Sequence, residues 1–403
     1  MRRSVDPDVR RLLASQAIRA LGYGFGSVLL ASTLAESDLS TIEVGVVLGS
    51  LVGGTVIAQL IVARWADRWG RRRSYPTLYL AIGLVGLVFA SGAPLWLLVG
   101  AALTGSFSVD VIESGPFTSL ELSMLAGRLD PDALTKGFGW YNALAAAAGS
   151  LGALIAALPE LARTIWPSAP ADRAWFLLFV PIAASGMVIA GRLTSAVELA
   201  DRRTESRRLG PSRPVVVRLA SLFAVDAFAG GFVVQSFIAF WLIDRFDITA
   251  AAAGALFAAL GVVQTASFLA APVLARRVGL VNTMVFSHLP SNLLLAAVAF
   301  APSFPIAAVL LLARASLSQM DVPTRQAFVL TLVGPEERTA AIAYTNTARY
   351  LVRPIGPVVA AAAFSVTAGA PFVVAGVIKS IYDLTLWGWF RNKPLPATKE
   401  PTP

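Results

Sequence analysis

The sequence of 403 residues contains no cysteine and a single histidine, His288. Without cysteine the chain has no disulfides, no thiolate nucleophiles and no thiolate metal ligands, and one histidine excludes metal sites built from histidine clusters. Few classes of enzyme work without these groups. We therefore predict that the protein is not an enzyme and that it holds no metal and no other cofactor.

Charge is also scarce, because charged residues make up 14% of the chain and apolar residues 56%. Soluble domains usually carry about 25% charged residues, so the composition indicates an integral membrane protein. The formal net charge of +9 would suit nucleic acid only if the basic residues formed one soluble patch. They lie between apolar stretches instead, so we predict the lipid bilayer, and no nucleic acid, as a partner.

Twelve stretches are apolar and long enough to cross a bilayer as helices. We number them spans 1 to 12, and they cover residues 10–33, 42–63, 74–92, 94–126, 137–158, 173–192, 215–243, 250–274, 281–302, 305–333, 338–366 and 370–391. The alternation typical of barrel strands is absent from the sequence. The predicted fold class is therefore an all-α membrane protein with twelve transmembrane helices.

Basic residues are distributed unevenly between the two sides that these spans define. An even number of spans puts both termini on one side, and 24 of the 33 lysines and arginines fall on that side, against three in the opposite loops. Cytoplasmic loops carry such an excess of basic residues. We predict a multi-pass protein of the cell (inner) membrane with both termini in the cytoplasm.

The longest polar stretch between spans divides the chain into two halves of six spans. We predict an N-terminal six-helix bundle over 1–193, a cytoplasmic linker over 194–214, a C-terminal bundle over 215–391 and a cytoplasmic tail over 392–403. The halves also repeat each other, because four patterns recur in order with an offset of 204 to 211 residues. Gly45 to Gly70 matches Gly254 to Gly279, and Asp110 to Phe117 matches Asp321 to Phe328. Such repeats are frequent in transporters and predict a pathway between the halves.

The sequence after span 2, from Ala63 to Arg72, reads ARWADRWGRR. It resembles the signature of the major facilitator superfamily, Gly-x-x-x-Asp-Arg-x-Gly-Arg-Arg between helices two and three, with Ala63 in place of the first glycine. The twelve spans, the two halves and the basic central linker extend the resemblance over the whole chain. It implies two pseudo-symmetric six-helix bundles that work by alternating access.

In this family the loop holds the cytoplasmic side closed while the outer side is open. The resemblance therefore implies a gating role for Asp67, Arg68, Gly70 and Arg71, with Asp67 capping span 11 and Arg68 or Arg71 pairing with Glu121. The alternative is that the arginines only follow the distribution expected of a cytoplasmic loop.

Eleven Asp, Glu, Lys and Arg residues lie in the interior of the spans, more than six residues from either end, where each costs at least about 2.5 to 3.5 kcal/mol on insertion scales. We expect Arg19 and Asp226, at equal depth in the first span of each half, to form an ion pair. Lys379 and Asp383, four residues apart, should form a static pair on one helix. His288 lies in span 9, which is usually peripheral in the family, and we do not expect it to carry a proton.

Four carboxylates are the candidates for proton coupling, namely Asp110, Glu113, Asp226 and Asp321. Asp110 and Glu113 share a helix face, and their repulsion favours proton uptake by one of them. The candidates for substrate binding are Arg19, Arg325, Arg349, Arg353, Asn142 and Asn346. The two asparagines begin the fifth span of each half among aromatic residues, which are more often interface anchors.

We conclude from the sequence that the protein is a proton-coupled secondary transporter that exports a small organic compound and works as a monomer. Its broad pattern is closest to the bacterial drug-efflux-like branch. The glycine and proline pattern of that branch is missing from span 5, where Gly149 and Gly152 have a different spacing. The arginines inside the spans suggest proton-coupled uptake of an organic anion as the alternative, and a non-transporting receptor or scaffold on the same fold is a second one.

Overall fold

A computed structural model describes residues 6–109, 111, 115–129, 134–198, 209–334 and 337–391 of the chain. These residues form α-helices and two short 3-10 helices, and no β-strand occurs among them.

The described residues form seventeen α-helices. Those of the first half are α1 (Pro7–Ala35), α2 (Thr41–Trp69), α3 (Arg71–Ala90), α4 (Leu95–Leu103), α5 (Pro116–Ala126), α6 (Leu134–Ile155), α7 (Leu158–Ile165) and α8 (Phe179–Gly191). Those of the second half are α9 (Arg213–Gly231), α10 (Gln235–Phe246), α11 (Ala250–Val278), α12 (Leu280–Val298), α13 (Phe304–Ser318), α14 (Asp321–Thr331), α15 (Arg338–Val352), α16 (Ile355–Val366) and α17 (Ala370–Phe390).

Joined across short breaks, these helices make the twelve predicted spans. Ten helical segments of the described residues are long and apolar enough to cross a membrane, and the other two spans are the interrupted pairs α4–α5 and α15–α16. The prediction of an all-α membrane protein with twelve spans is confirmed.

Four spans that the sequence suggests are continuous are each divided into two helices. The divisions fall between Leu103 and Pro116, Gly231 and Gln235, Ser318 and Asp321, and Val352 and Ile355. Proline explains two of them, because Pro116 begins α5 and Pro354 follows α15, and neither can donate a backbone hydrogen bond. In membrane proteins such interruptions are tolerated only where protein or a water-filled cavity surrounds the backbone.

The described residues pack into two compact units. The first takes those within Met1–Arg202, Val233–Val262 and Pro357–Ala368, and the second takes those within Arg203–Phe232, Val263–Gly356 and Gly369–Pro403. The first unit thus contains the helices of the first half and two segments of the second half. The second unit contains helices of the second half. The predicted division into two six-helix bundles on either side of the linker rests on the sequence repeat and stays a prediction.

In the first unit α1 is packed closely on α6 and α10. A Cβ atom added at Gly24 would overlap the backbone of Gly149, so only glycines allow α1 and α6 this approach. In the C-terminal half of α1, Ser27 Oγ accepts a hydrogen bond from Gln235 Nε2 over 2.8 Å. Ser236 Oγ donates to the Ser27 carbonyl over 3.0 Å. Polar contacts therefore join α10 to α1 within this unit.

In the second unit α12 packs on α13 and α17, and α9 packs on α15 and α17. An apolar core joins α9, α12, α14, α15 and α17, and its largest members are Phe223, Phe328, Tyr382 and Phe390. Burial of such side chains contributes about 1.5 to 3 kcal/mol each. This core supports the polar residues that lie beside it.

The matched glycines of the repeat make the same turn in both halves. Gly70, between α2 and α3, has φ +90°, and Gly279, between α11 and α12, has φ +88°. Positive φ angles are strained for residues with a Cβ. The repeat therefore places α3 and α12 in the same register after their glycines.

Candidate functional site

Two clusters of buried polar side chains lie among the helices, one in each unit. The first cluster consists of Ser15, Gln16, Arg19, Tyr75, Tyr79, Glu121 and Tyr141. The second cluster consists of Asp226, His288, Asn292, Asp321, Arg325, Lys379 and Asp383. Burying these groups is costly unless they are paired and hydrogen-bonded.

Arg19 on α1 is the centre of the first cluster and is 0% exposed. Its guanidinium binds the Glu121 carboxylate, with Nη2 lying 2.7 Å from Oε2, and it also donates to Gln16. Nη1 donates to the Tyr79 hydroxyl over 3.3 Å. The guanidinium lies 4.4 Å from the centre of the Phe117 ring, which adds a cation–π contact.

Glu121 on α5 is equally well surrounded. The hydroxyls of Tyr75 and Tyr141 both donate to its carboxylate, in addition to the bonds from Arg19. One positive and one negative charge balance each other here, and the surrounding hydroxyls provide further hydrogen bonds. We call this buried, hydrogen-bonded ion pair of Arg19 and Glu121 the structural lock.

These contacts correct two predicted pairings. Arg19 binds the Glu121 carboxylate, and the Asp226 carboxylate, which we expected to pair with Arg19, binds Lys379 and Arg325. Glu121 is engaged by Arg19 and two tyrosines and not by Arg71 of the loop. The other predicted partner, Arg68, has its side chain outside the described residues, so that pairing stays a prediction. Roles of Arg19 in substrate binding and of Glu121 in gating would require this lock to open, and both stay predictions.

Asp226 on α9 is the centre of the second cluster. Lys379 Nζ lies 2.6 Å from Asp226 Oδ1, and Arg325 Nη1 lies 3.6 Å from Asp226 Oδ2. The same Arg325 nitrogen donates to Asp321 Oδ2 over 2.9 Å. Asp226, Asp321 and Arg325, which we predict in proton coupling and substrate binding, therefore lie in one group.

His288 on α12 joins this group to Asp383 on α17. Its Nδ1 lies 3.0 and 3.1 Å from the two Asp383 oxygens, and its Nε2 lies 4.0 Å from Asp226 Oδ1. Asn292 Nδ2 donates to Asp383 Oδ2 over 2.7 Å.

The predicted static pair between Lys379 and Asp383 is therefore wrong. Lys379 binds Asp226, and Asp383 binds His288 and Asn292. Residues four apart share a helix face, but here α9 and α12 both flank α17 and supply stronger partners. Neighbouring helices, which a spacing rule does not include, decide the pairing.

Charge is unequal within the second cluster. Its three aspartates face two permanent cations, Arg325 and Lys379, and one histidine, and each of these six side chains is at most 6% exposed as a residue. Counted over these six contacting side chains, the formal charge is one negative with His288 neutral and zero with His288 protonated. A third cation, Arg314 on α13, acts on Asp226 from beyond ion-pair distance and stands outside this count. The buried Tyr382 hydroxyl beside it has no hydrogen-bond partner among the described residues. Unlike in the first cluster, the charges of the contacting side chains here do not balance while His288 is neutral.

The internal repeat relates the two clusters and identifies His288 as a member that the sequence analysis missed. Tyr79 follows Gly70 by nine residues, and His288 follows Gly279 by nine residues. Tyr79 faces Arg19 in the first cluster, and His288 faces Asp226 in the second. The repeat was the signal that could have found this residue.

The other predicted residues have varied positions. Asp110 and Glu113 lie outside the described residues, and so do the side chains of Asp67 and Arg68. Arg349 and Asn346 are half-buried on α15, Arg353 is half-buried at its end, and Asn142 is exposed on α6. None of these residues is a member of the second cluster, and their predicted roles in coupling, gating and substrate binding stay predictions.

The linker supplies contacts that the sequence analysis did not anticipate. Gly70 gives α3 no side-chain cap, and Glu198 takes that place by accepting from the backbone N–H groups of Arg71 (2.8 Å) and Arg72 (3.0 Å). A carboxylate at a helix N terminus is favourable. At the other end of the linker, hydrogen bonds from Ser212 and from the Gly210 N–H lower the pKa of Glu337 below its usual value.

Known proteins resemble this chain in sequence and in architecture. The sequence profile described as Major Facilitator Superfamily matches residues 12–357. A relative, the uncharacterized membrane protein YJR124C of Saccharomyces cerevisiae, is 26% identical over 388 residues, which cover 87% of this chain and 86% of that protein.

Two solved structures show the same fold at low sequence identity. A mutant form of the nucleoside transporter NupG has a TM-score of 0.75 and 14% identity, with 96% of this chain and 99% of that chain covered. A D-xylose-proton symporter has a TM-score of 0.72 and 14% identity, with 94% and 97% covered.

Proposed function

Because the chain belongs to the major facilitator superfamily, a family of secondary transporters, we propose that it is a proton-coupled transporter of a small organic solute that works by alternating access. The observation that carries the coupling is the unequal charge of the second cluster. A buried group with one excess negative charge gains stability by taking up a proton or a cation. Such a group changes its charge during a transport cycle at low cost.

Asp226 and Asp321 are the carboxylates that we assign to coupling within the described residues, since both contact Arg325. Asp110, which the repeat aligns with Asp321, and its neighbour Glu113 are proposed to serve the first half. For the solute we propose Arg325, Arg349 and Arg353 as the groups that bind an anionic or polar part.

Export is the direction that we propose first, on the broad likeness of the sequence pattern to efflux proteins. Proton-coupled uptake is the second candidate, and the observation that favours it is the likeness to a D-xylose-proton symporter. A receptor or scaffold that does not transport is the third candidate. The unbalanced second cluster speaks against it, because a static scaffold gains nothing from an incompletely paired group.

The orientation and the gate follow from the same proposal. The excess of basic residues on the side of the termini favours cytoplasmic ends in the cell (inner) membrane. The turn at Gly70 and its neighbours Asp67, Arg68 and Arg71 are proposed as the cytoplasmic gate. Glu198 accepts hydrogen bonds from the first N–H groups of α3 and so caps the helix that follows this turn.

The test is solute-driven proton flux in proteoliposomes. Purified protein is first screened for thermal stabilisation with a panel of sugars, nucleosides and organic carboxylates. Vesicles with a pH-sensitive dye inside then report proton movement when a stabilising solute is added. Saturable flux coupled to protons supports the proposal, and its sign gives the direction.

The variant Asp226→Asn should abolish coupled flux. Asp244→Asn is the matched control, because it removes an equal charge from an exposed position on α10. Wild-type vesicles without any solute-dependent proton movement would exclude the proposed function for the panel tested, and coupled flux in Asp226→Asn would exclude this cluster as its basis.

A further inference from the structure

His288 has one ring nitrogen toward each of two aspartates. Nδ1 is in hydrogen-bond distance of Asp383, and Nε2 lies 4.0 Å from Asp226 Oδ1. A neutral imidazole carries a proton on one nitrogen only, whereas the imidazolium donates from both. One added proton therefore gives His288 a donor toward each carboxylate.

The same oxygen of Asp226 already has a cationic neighbour. Lys379 Nζ lies 2.6 Å from Asp226 Oδ1, the atom that His288 Nε2 faces. A protonated His288 competes with Lys379 for this oxygen, because both would then be cationic donors aimed at it. Protonation at His288 therefore changes how α9, which carries Asp226, is held to α17, which carries Lys379.

Every element packed around His288 contributes a charged or titratable group. From α17 come Asp383, Lys379 and the Tyr382 hydroxyl, whose ring packs edge-on against the imidazole at 6.1 Å. From α14 comes Asp321, held by Arg325. The attraction of Asp226, Asp321 and Asp383 for an imidazolium opposes the cost of burying it and the repulsion from Lys379 and Arg325.

Two further groups complete these surroundings. Asn292, one turn after His288 on α12, donates to Asp383 Oδ2. Arg314 on α13 interacts electrostatically with Asp226, beyond the distance of the ion pairs that the described residues show. Of the described groups around the two aspartates, only His288 has one ring nitrogen toward Asp226 and the other toward Asp383.

The repeat supports a role for this position. In the first half the equivalent residue is Tyr79, a hydroxyl that does not change charge near neutral pH. In the second half the same position holds an imidazole, the side chain whose ordinary pKa lies nearest to neutral pH. The two halves therefore differ at one equivalent position, where Tyr79 faces Arg19 in the first half and His288 faces Asp226 in the second.

We propose that His288 and Asp383 form the proton-loading site of the transporter, with Asp226 as the group that exchanges Lys379 for the protonated His288. The proton comes from water on one side of the membrane, adds to the free ring nitrogen and leaves to water on the other side. This assignment rests on the proposed function and adds to it the residue that carries the proton. It makes α12 and α17, and not only α9 and α14, part of the coupling machinery.

Because His288 is the sole histidine of the chain, it can be observed directly. Protein with a histidine-free affinity tag is labelled with ¹⁵N-histidine and placed in phospholipid nanodiscs. The ring ¹⁵N signals are then followed from pH 5 to pH 9. We expect one titration within this range, and Asp383→Asn should weaken proton binding by on the order of tenfold or more, because an opposite charge in contact is lost.

The controls separate proton binding from folding. The variant His288→Gln removes the signal and confirms its assignment, and Asp244→Asn should leave the titration unchanged. A signal that keeps one protonation state from pH 5 to pH 9 overturns the proposal, and so does an unchanged titration in Asp383→Asn. Because the main measurement uses the wild-type protein, it does not depend on the stability of any variant.

Flux measurements distinguish this proposal from the proposed function. With the panel solutes, coupled flux in wild type and its loss in His288→Gln, with downhill solute exchange retained, support both. Coupled flux that persists in His288→Gln overturns the proton-loading site and leaves the transporter in place. Absence of coupled flux in wild type overturns the proposed function and with it this site.

Discussion

Lys379 on α17 binds Asp226 on α9 across a helix boundary, with Nζ 2.6 Å from Oδ1. The spacing of Lys379 and Asp383 along α17 suggested a different pair. The observed contact ties the last span to the first span of the second half, and Asp383 is thereby left to His288.

Removing either member of this ion pair should destabilise the protein. Lys379→Gln leaves Asp226 without its nearest cation and raises the excess negative charge of the cluster, at a cost of about 3 to 5 kcal/mol. Asp226→Asn takes the carboxylate from Lys379 but also removes the excess charge, so its cost should be smaller. The double variant removes both charges, so its loss should be smaller than the sum of the two single losses. Thermal unfolding of the purified variants, followed by tryptophan fluorescence, measures these differences. Equal stability of Lys379→Gln and wild type would contradict the buried pairing.

The first cluster should behave as a structural lock. Glu121→Gln leaves Arg19 as a buried cation without its carboxylate, again at a cost of about 3 to 5 kcal/mol. Tyr141→Phe removes one hydrogen bond to Glu121 and should cost about 1 kcal/mol. Unfolding midpoints test this order, with the exposed Asp244→Asn as control. If Glu121→Gln kept full stability and lost only transport, Glu121 would act as the gate residue that the family resemblance implies.

Two neighbouring glycines of α1 should respond differently to alanine. At Gly24 a Cβ atom would overlap the Gly149 backbone of α6, which has no flexible end that can move away. At Gly22 it would meet the Ile182 side chain, with Cδ1 at 3.1 Å, and that side chain can shift. We expect Gly24→Ala to lower the yield of folded, monodisperse protein severalfold and Gly22→Ala to change it little. Size-exclusion chromatography after detergent extraction measures both, and similar yields would mean that α1 and α6 do not approach as closely as described.

The linker contact at Glu198 should protect the neighbouring arginines from protease. Glu198→Gln weakens the two bonds to the N–H groups of α3, a loss of about 1 kcal/mol for a helix cap. Trypsin should then cleave after Arg72 and Arg73, which are exposed in the first turn of α3, several times faster. Asp38→Asn, which changes an exposed carboxylate after α1, is the control. Unchanged cleavage kinetics would show that Glu198 does not hold the linker.

The twelve spans could be predicted from the sequence because a bilayer demands long apolar helices, and the ionisable residues inside them were visible for the same reason. The signature after span 2 identified the family. The pairing of the buried charges could not be predicted, since it depends on which helices are neighbours. Lys379 contacts Asp226 from 153 residues away, and no local rule connects them.

The broken spans and His288 show two other reasons for error. Hydropathy averages over a window, so the interruption at Val352–Ile355 does not show in a stretch whose polar first half is followed by the apolar run of α16. His288 was discounted because its span is usually peripheral, although its distance from Gly279 equals that of Tyr79 from Gly70. The internal repeat located this side chain better than the general position of its helix.

Because Ser27 of the first half bonds Gln235 and Ser236 of the second, we expect the two halves to stay together without the polypeptide connection between them. A protein nicked in the linker would still have Val233–Val262 and Pro357–Ala368 packed into the unit that also contains α1. The two fragments should therefore copurify as one particle through a tag on either fragment. Co-expressed as separate chains, they should reassemble the same unit.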